Sequence, residues 1–172
     1  MTTPSLEKTN FELKPLSKDA IPKALGRAEH YRLLNEPAAA ESICLDVLAA
    51  EPENQRALVT LLLAITDRFG KGYTISDTKA QELIPRIKDE YEQAYYSGII
   101  CERRARAILN NSALGSEHGA YEWLCKAMSL YEKAEMIRPV DNDDSILRWN
   151  TCARIIMQNN LTSRPIPSDF LE

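Results

Sequence analysis

The sequence predicts an all-α protein of antiparallel helical hairpins packed side by side and closed by a capping helix. A small residue, a larger apolar residue and a proline recur at one spacing, as Ala40, Cys44, Pro52 and again as Ala127, Tyr131, Pro139. The small residue lets a neighbouring helix approach closely, and the larger apolar residue follows one helical turn later. The proline two turns further on ends the segment. The spacing therefore indicates the second helix of a helix-turn-helix unit that occurs more than once.

The composition predicts one domain with two less regular ends. The chain has 172 residues, of which 44% are hydrophobic and 27% charged, so it can bury a sizeable core. Residues 1–18 contain Pro4 and Pro15 and show no periodicity, which predicts a flexible arm. Residues 19–158 are predicted to form the helical repeat domain, and residues 159–172 a C-terminal tail.

Four helices are predicted in the first half of the chain. Residues 19–34 form the first, and Pro37 suits the first turn of the second, which stops at Pro52. Residues 54–68 form a third helix that is apolar almost all round, which only a helix covered on several sides tolerates. Residues 69–74 are predicted to form a loop, after which a short helix begins near Ser76 or Asp77. Pro85 either kinks that helix or begins the next one.

Three more helices are predicted in the second half. Residues 87–109 and 118–137 form two long amphipathic helices, separated by a break at residues 110–115. Residues 144–158 form the last helix, which has the narrower apolar stripe Ile146, Trp149, Ala153, Ile156. This stripe predicts a closing cap that is wet on its outer side, with Arg148 pointing away from the stripe.

These spacings resemble the tetratricopeptide repeat family, whose units of about 34 residues combine a helix pair with small-residue and proline positions. One uninterrupted copy is carried by Ala24, Arg27, Ala28, Tyr31, Ala40, Cys44 and Pro52. Two interrupted copies follow, so that the resemblance covers roughly residues 20–139 in about three repeats. It implies a short right-handed superhelix with a concave groove lined by the first helix of each repeat.

The resemblance also implies which side chains face the groove. These are Leu25, Glu29, Arg32, Arg56, Val59, Leu63, Tyr95, Ile99 and Glu102. None of them is Lys or Asn, whereas some family members use a Lys and Asn cluster to grip the carboxylate end of a peptide. A groove of mixed apolar and charged character favours an extended or helical segment of another protein.

Charge and cysteine usage exclude several other classes. The formal net charge of -4 argues against nucleic acid as the main ligand. The four cysteines are far apart, which predicts free thiols and a cytoplasmic protein. The most apolar run, residues 57–65, is too short to cross a bilayer, so no membrane contact is expected.

No catalytic, metal or cofactor pattern stands out. His30 and His118 lack neighbouring ligands, and the run Asp141–Asp144 lacks the glycine and the closing glutamate of a calcium loop. Gly70, Lys71 and Gly72 lack the full phosphate-binding pattern. We therefore expect no enzyme activity, no metal and no cofactor.

Three features of the sequence allow more than one interpretation. Arg103, Arg104 and Arg106 form either a solvated helix face or a patch for RNA or an acidic protein segment. The loop residues Phe69 and Tyr73 either fill space or contact a partner. The apolar residues of the tail, Ile166, Phe170 and Leu171, are either mobile or dock on a partner or on the groove.

The sequence as a whole predicts a non-enzymatic scaffold or adaptor that binds a peptide segment of a partner protein through the concave groove. The alternative is a helical subunit that self-associates, or has a fixed place in a larger complex, without a free peptide ligand.

Overall fold

The computed structural model describes residues 11–70, 77–111 and 115–165. Every regular element within these ranges is helical, which confirms the predicted all-α class. Short 3-10 turns span Lys18–Ala20 and Ile84–Arg86. The helices are α1 (Ile21–Leu33), α2 (Pro37–Ala50), α3 (Gln55–Thr66), α4 (Asp77–Leu83), α5 (Glu90–Asn110), α6 (Ser116–Met136) and α7 (Asp144–Gln158).

Local chemistry explains where the helices begin. Pro37 occupies the first turn of α2, where the missing N–H costs no helical hydrogen bond. Asn54 caps α3 by accepting a hydrogen bond from the N–H of Ala57 at 2.9 Å. Asp89 caps α5 in the same way, so this helix begins at Glu90 and not at the predicted residue 87.

The acidic run at 141–144 forms the turn that leads into α7. Asp141 has a left-handed backbone, with φ 66°, which short polar side chains tolerate better than most. Asn142 accepts a hydrogen bond from the N–H of Asp144 at 3.0 Å. These residues therefore have a structural task at the start of the helix.

Successive helices pack on one another in chain order. α1 packs on α2 and α2 on α3, while α5 packs on α6 and α6 on α7. The helices α1, α3 and α5 are also neighbours, because α3 contacts both α1 and α5. The right-handed superhelix expected from the repeat spacing stays a prediction.

The core consists of two apolar clusters that meet at α5. The first cluster is built mainly from α1 to α4, and the second mainly from α5 to α7. α5 supplies Ile100 and Ala107 to the first cluster and Ile99 and Ala105 to the second. Since one helix forms a wall of both clusters, α5 is the central element of the fold.

The short helix α4 interrupts the regular packing. It has 7 residues, whereas α2 has 14. Pro85 lies in the 3-10 turn that follows α4, so it ends the α-helix and does not kink it. Most of the predicted loop at 69–74 lies outside the described residues, but Phe69 is buried in the first cluster.

None of the helices in the described ranges combines the length and the apolar character that crossing a bilayer requires.

Gly98 of α5 lies directly against Tyr131 of α6. A Cβ added to this glycine would lie 2.5 Å from Cε1 and 2.7 Å from Cδ1 of Tyr131. Tyr131 is fully buried, with 0% of its surface exposed, so its ring has little room to move. Any larger residue at position 98 must push the two helices apart.

We predict that Gly98→Ala lowers the free energy of unfolding by about 1–3 kcal/mol, because overpacking against a buried ring outweighs the better helix propensity of alanine. Urea unfolding followed by circular dichroism measures the change. Gly26→Ala is the matched control, since position 26 lies inside α1 with nothing within 4 Å of the added Cβ. The control should be unchanged or slightly more stable, and an equal gain in both variants would contradict the close approach.

Candidate functional site

Ion pairs connect the odd-numbered helices along one face of the molecule. Arg56 of α3 binds Glu29 of α1 through two hydrogen bonds of 2.7 Å, one from Nε and one from Nη2. The Arg56 guanidinium holds the pKa of the Glu29 carboxyl below its ordinary value. Both side chains are about half exposed, at 51% and 43%, so the pair lies on the surface between α1 and α3.

A second carboxylate is shared between two arginines. Asp67, just after α3, accepts hydrogen bonds from Nε of Arg32 at 2.7 Å and from its Nη2 at 3.3 Å. Nη1 of Arg103 in α5 lies 2.7 Å from Oδ1 of the same carboxylate. Asp67 thus joins α1, α3 and α5, and the exposed fractions of the three side chains are 20–22%.

Arg103 is held at the end of α3 by a set of acceptors. Its Nη1 also donates to the carbonyl oxygen of Leu63 at 2.9 Å and to the hydroxyl of Thr66. Burial lowers the pKa of Arg103, Asp67 opposes that effect, and the charge of Arg32 lowers it further. The two guanidinium groups are therefore close enough to repel one another across Asp67.

A third carboxylate, Glu102, is buried among α5, α6 and α7 with 1% of its surface exposed. Its Oε2 accepts a hydrogen bond from the Tyr131 hydroxyl at 2.8 Å. Its Oε1 accepts from Nη2 of Arg106 at 3.0 Å and from Nη1 of Arg148 at 3.3 Å. Such a buried charge is tolerated because both oxygens are hydrogen-bonded and two cations lie beside them.

Three tyrosines pack around Tyr95, and one of them, Tyr131, binds Glu102. The ring centroid of Tyr95 lies 5.8 Å from that of Tyr91, 5.2 Å from that of Tyr96 and 5.9 Å from that of Tyr131. Burial raises the pKa of Tyr96 to about 12, and burial followed by the charge of Glu102 raises that of Tyr131. The Tyr96 and Tyr131 phenols are therefore neutral at physiological pH, and the protonated Tyr131 hydroxyl can donate the hydrogen bond to Glu102.

We call the surface formed by these side chains the odd-helix face. It consists of Glu29, Arg32, Arg56, Val59, Leu63, Asp67, Tyr95, Arg103, Arg106 and Arg148. Val59, Leu63 and Tyr95 are half-buried and supply apolar surface between the paired charges. The arrangement offers both apolar contact area and fixed charges to a ligand.

Six of the nine predicted groove residues retain exposed surface on this face: Glu29, Arg32, Arg56, Val59, Leu63 and Tyr95. The structure places the other three elsewhere. Leu25 packs into the first apolar cluster and Ile99 into the second. Glu102 is covered by Tyr131 and Arg148, so its side chain is not available to a ligand and acts by holding arginines in place.

Asp67, Arg103, Arg106 and Arg148 belong to the odd-helix face but are not among the predicted groove residues. Arg148 was expected to point away from the apolar stripe of α7, but it reaches the buried Glu102. One signal was present in the sequence, because Glu102 falls at helical spacing between Gly98 and Ala105. A carboxylate in such a buried stripe needs cationic partners, which points to nearby arginines.

The neighbouring arginines of α5, Arg103, Arg104 and Arg106, do not form one solvated patch. Arg103 binds Asp67 and Arg106 binds Glu102, whereas Arg104 lies over the ring of Phe69 with its guanidinium carbon 4.9 Å from the ring centroid. The loop residue Phe69 is accordingly a buried core residue with 9% exposure. Arg104 therefore faces a different side of α5 from the odd-helix face.

The described residues contain no group of three or more side chains able to hold a metal ion. The His118 ring nitrogen Nδ1 lies 3.0 Å from the carbonyl oxygen of Thr162, which ties the segment just after α7 to α6. All four cysteines are free thiols. Cys125 is partly exposed, whereas Cys44, Cys101 and Cys152 are buried.

A pocket of about 320 Å³ lies on another side, between the 3-10 turn after α4, α5 and α6. Ile84, Ile100 and Leu130 contribute apolar walls, and Lys126 lies at its edge. It shares no residue with the odd-helix face. Gln81 of the short helix α4 also lines the pocket.

We predict that Glu102→Gln lowers the free energy of unfolding by about 1–3 kcal/mol, the range for losing charged hydrogen bonds. The amide still accepts from Tyr131, but Arg106 and Arg148 lose their counter-charge. Urea unfolding measures the loss. Glu122→Gln, on an exposed position of α6, is the control and should change stability by less than about 0.5 kcal/mol. Equal stability of the two variants would contradict the role of Glu102.

We also predict that iodoacetamide alkylates Cys125 before the other thiols in the folded protein. Burial raises the pKa of Cys44 and of Cys152 to about 12, so their reactive thiolate fraction at pH 8 is reduced, and both are inaccessible. Peptide mass mapping over time gives the order. Simultaneous labelling of all four thiols in the folded protein would contradict the burial, and the urea-unfolded protein is the control.

Comparison of the chain with models of known protein families, with curated proteins and with solved structures finds no match.

Proposed function

We propose that this chain is a non-enzymatic interaction scaffold that holds a segment of a partner protein along the odd-helix face. The observation that carries the proposal is the set of ion pairs that cross from α1 to α3, from α3 to α5 and from α5 to α7. These pairs fix several side chains on neighbouring helices relative to one another before any ligand arrives. A preorganised surface loses little entropy when it binds.

The composition of the face supports a peptide ligand. Val59, Leu63 and Tyr95 offer half-buried apolar surface, and Arg56 lies beside them with about half of its side chain exposed. Tyrosine and arginine are the residue types that most often dominate binding energy at protein interfaces. Apolar side chains of the partner would pack against Val59, Leu63 and Tyr95, while its polar groups would bind the charged side chains of the face.

The resemblance of the sequence to tetratricopeptide repeats adds a second line of support. In that family the first helix of each repeat lines a concave surface, and here α1, α3 and α5 are the corresponding helices. Four free thiols fit a reducing compartment, and we propose a cytoplasmic location on that ground.

Site-specific photo-crosslinking tests the proposal. A benzophenone amino acid placed at Arg56 should crosslink a defined partner when the protein is irradiated in cells, because this position is exposed on the odd-helix face. The same residue placed at Lys133, exposed on α6, should not crosslink that partner. Mass spectrometry of the crosslinked bands gives the result for each position.

Crosslinks of equal yield to the same protein from both positions, or no crosslink from position 56, would contradict binding on this face. Circular dichroism of both variants shows that the fold is intact. The Lys133 position thus distinguishes specific binding of a segment to the face from non-specific binding to the surface.

Self-association is the second candidate function, and exposed apolar side chains favour it. Met136 and Val140 are 86% and 91% exposed near the turn between α6 and α7, and Leu33 is 85% exposed at the end of α1. Large apolar groups clustered at a turn suit contact with another protein surface. These two corners lie on different hairpins, so copies joined through them would associate head to tail.

Sedimentation velocity over a concentration range tests this candidate. We predict that any dimer of the wild type dissociates when Met136→Glu and Val140→Glu are combined, because burying either carboxylate in an apolar contact is costly. Glu132→Gln and Glu135→Gln together serve as a control on the same helix end. A monomer at every concentration would exclude self-association.

A further inference from the structure

We propose that the partner segment is acidic and that its carboxylates bind the two arginine pairs of the odd-helix face, Arg32 with Arg103 and Arg106 with Arg148. This inference rests on the function proposed above and names the chemistry of the ligand. Two carboxylates of this chain, Asp67 and Glu102, each lie between the two arginines of one pair.

The charge balance of each pair favours a further anion. Asp67 carries one negative charge and is bonded to two guanidinium groups, and the same holds for Glu102. Each centre therefore keeps an excess of one positive charge. Crowded cations of this kind are stabilised when a second carboxylate arrives, because the repulsion between them is then balanced.

The hydrogen-bond donors of the arginines are only partly used. Arg103 contacts Asp67, Leu63 and Thr66 through Nη1. Both hydrogen bonds of Arg106 go to a single oxygen of Glu102. A guanidinium has five N–H donors in a planar fork, so the pairs have donors left for the bidentate geometry that carboxylates prefer.

The arginine pairs are accessible to such a ligand. The exposed fractions of the side chains are 22% for Arg103, 36% for Arg148 and 46% for Arg106. Partial exposure is favourable here because contact with a ligand removes the remaining water and strengthens the ion pairs. Tyr95 and Leu63 lie beside the pairs, so the segment should carry apolar residues between its acidic ones.

The overall charge of the chain favours a short acidic segment over RNA. The formal net charge is -4, so the arginine pairs belong to a chain that is negative overall. An RNA would carry its phosphate charge beyond the arginine pairs and would be repelled by the net charge of the chain. A peptide with a few carboxylates can place all of them on the pairs.

Fluorescence anisotropy with a defined probe tests the proposal. The probe is a labelled peptide that alternates glutamate with leucine, and its match carries glutamine at every glutamate position. We expect the glutamate peptide to bind at least about tenfold more tightly in 50 mM salt and to weaken steeply as the salt rises, because screening acts on partly exposed charges.

Arg106→Gln should weaken the glutamate peptide about fivefold, the size expected for one partly exposed ion pair. Arg106→Lys keeps the charge and should retain most of the affinity. Arg154→Gln is the matched control, because it removes the same charge from an exposed position of α7 and should leave binding unchanged. Glu102 keeps Arg148 and Tyr131 in these variants, and circular dichroism verifies the fold.

Equal affinity for the glutamate and glutamine peptides, or equal losses in Arg106→Gln and Arg154→Gln, would overturn the acidic segment. Tighter binding of a single-stranded RNA with the same dependence on Arg106 would overturn it in favour of nucleic acid. If crosslinks at position 56 still identify a partner in these cases, the scaffold function stands and only the ligand chemistry fails. If those crosslinks are also absent, the proposed function itself fails.

Discussion

The contact of Tyr131 with Gly98 and Glu102 is the interaction on which the second half of the structure depends. The ring lies across the glycine, so α5 and α6 approach more closely than any side chain at position 98 would allow. Its hydroxyl binds the buried carboxylate, and that carboxylate in turn binds Arg148 of α7. One aromatic side chain thus couples the packing of three helices to the position of a charge.

The same coupling explains why the odd-helix face is rich in ordered arginines. A carboxylate in the interior requires cations, and the cations that satisfy Glu102 extend to the surface because guanidinium groups have long apolar stems. Asp67 does the same for Arg32 and Arg103 at lower burial. The internal requirement of the fold and the chemistry of its surface therefore have a common origin.

Much of the fold follows from local sequence, but the site does so only in part. The helices are predictable because apolar periodicity and the prolines act within a few residues, and the bounds of α7 agree with the prediction. The pairing of Glu29 with Arg56 depends on how far apart two helices lie, which spacing within one helix does not determine. Leu25 and Ile99 were misplaced for that reason, since a family register assigns faces without knowing the local rotation of each helix.

Because α5 contributes to both apolar clusters, the N-terminal half of the chain cannot complete its core early in synthesis. The first apolar cluster includes Ile100 and Ala107, which come from the central helix and not from the first four. During translation α1 to α4 emerge earlier, and one side of their core stays open to water until α5 has left the ribosome. Domains in growing chains fold as units. The N-terminal half therefore completes its core only when α5, which also belongs to the core of the C-terminal half, has been synthesised. Nascent chains that stop before residue 107 would thus present an apolar surface suited to chaperones.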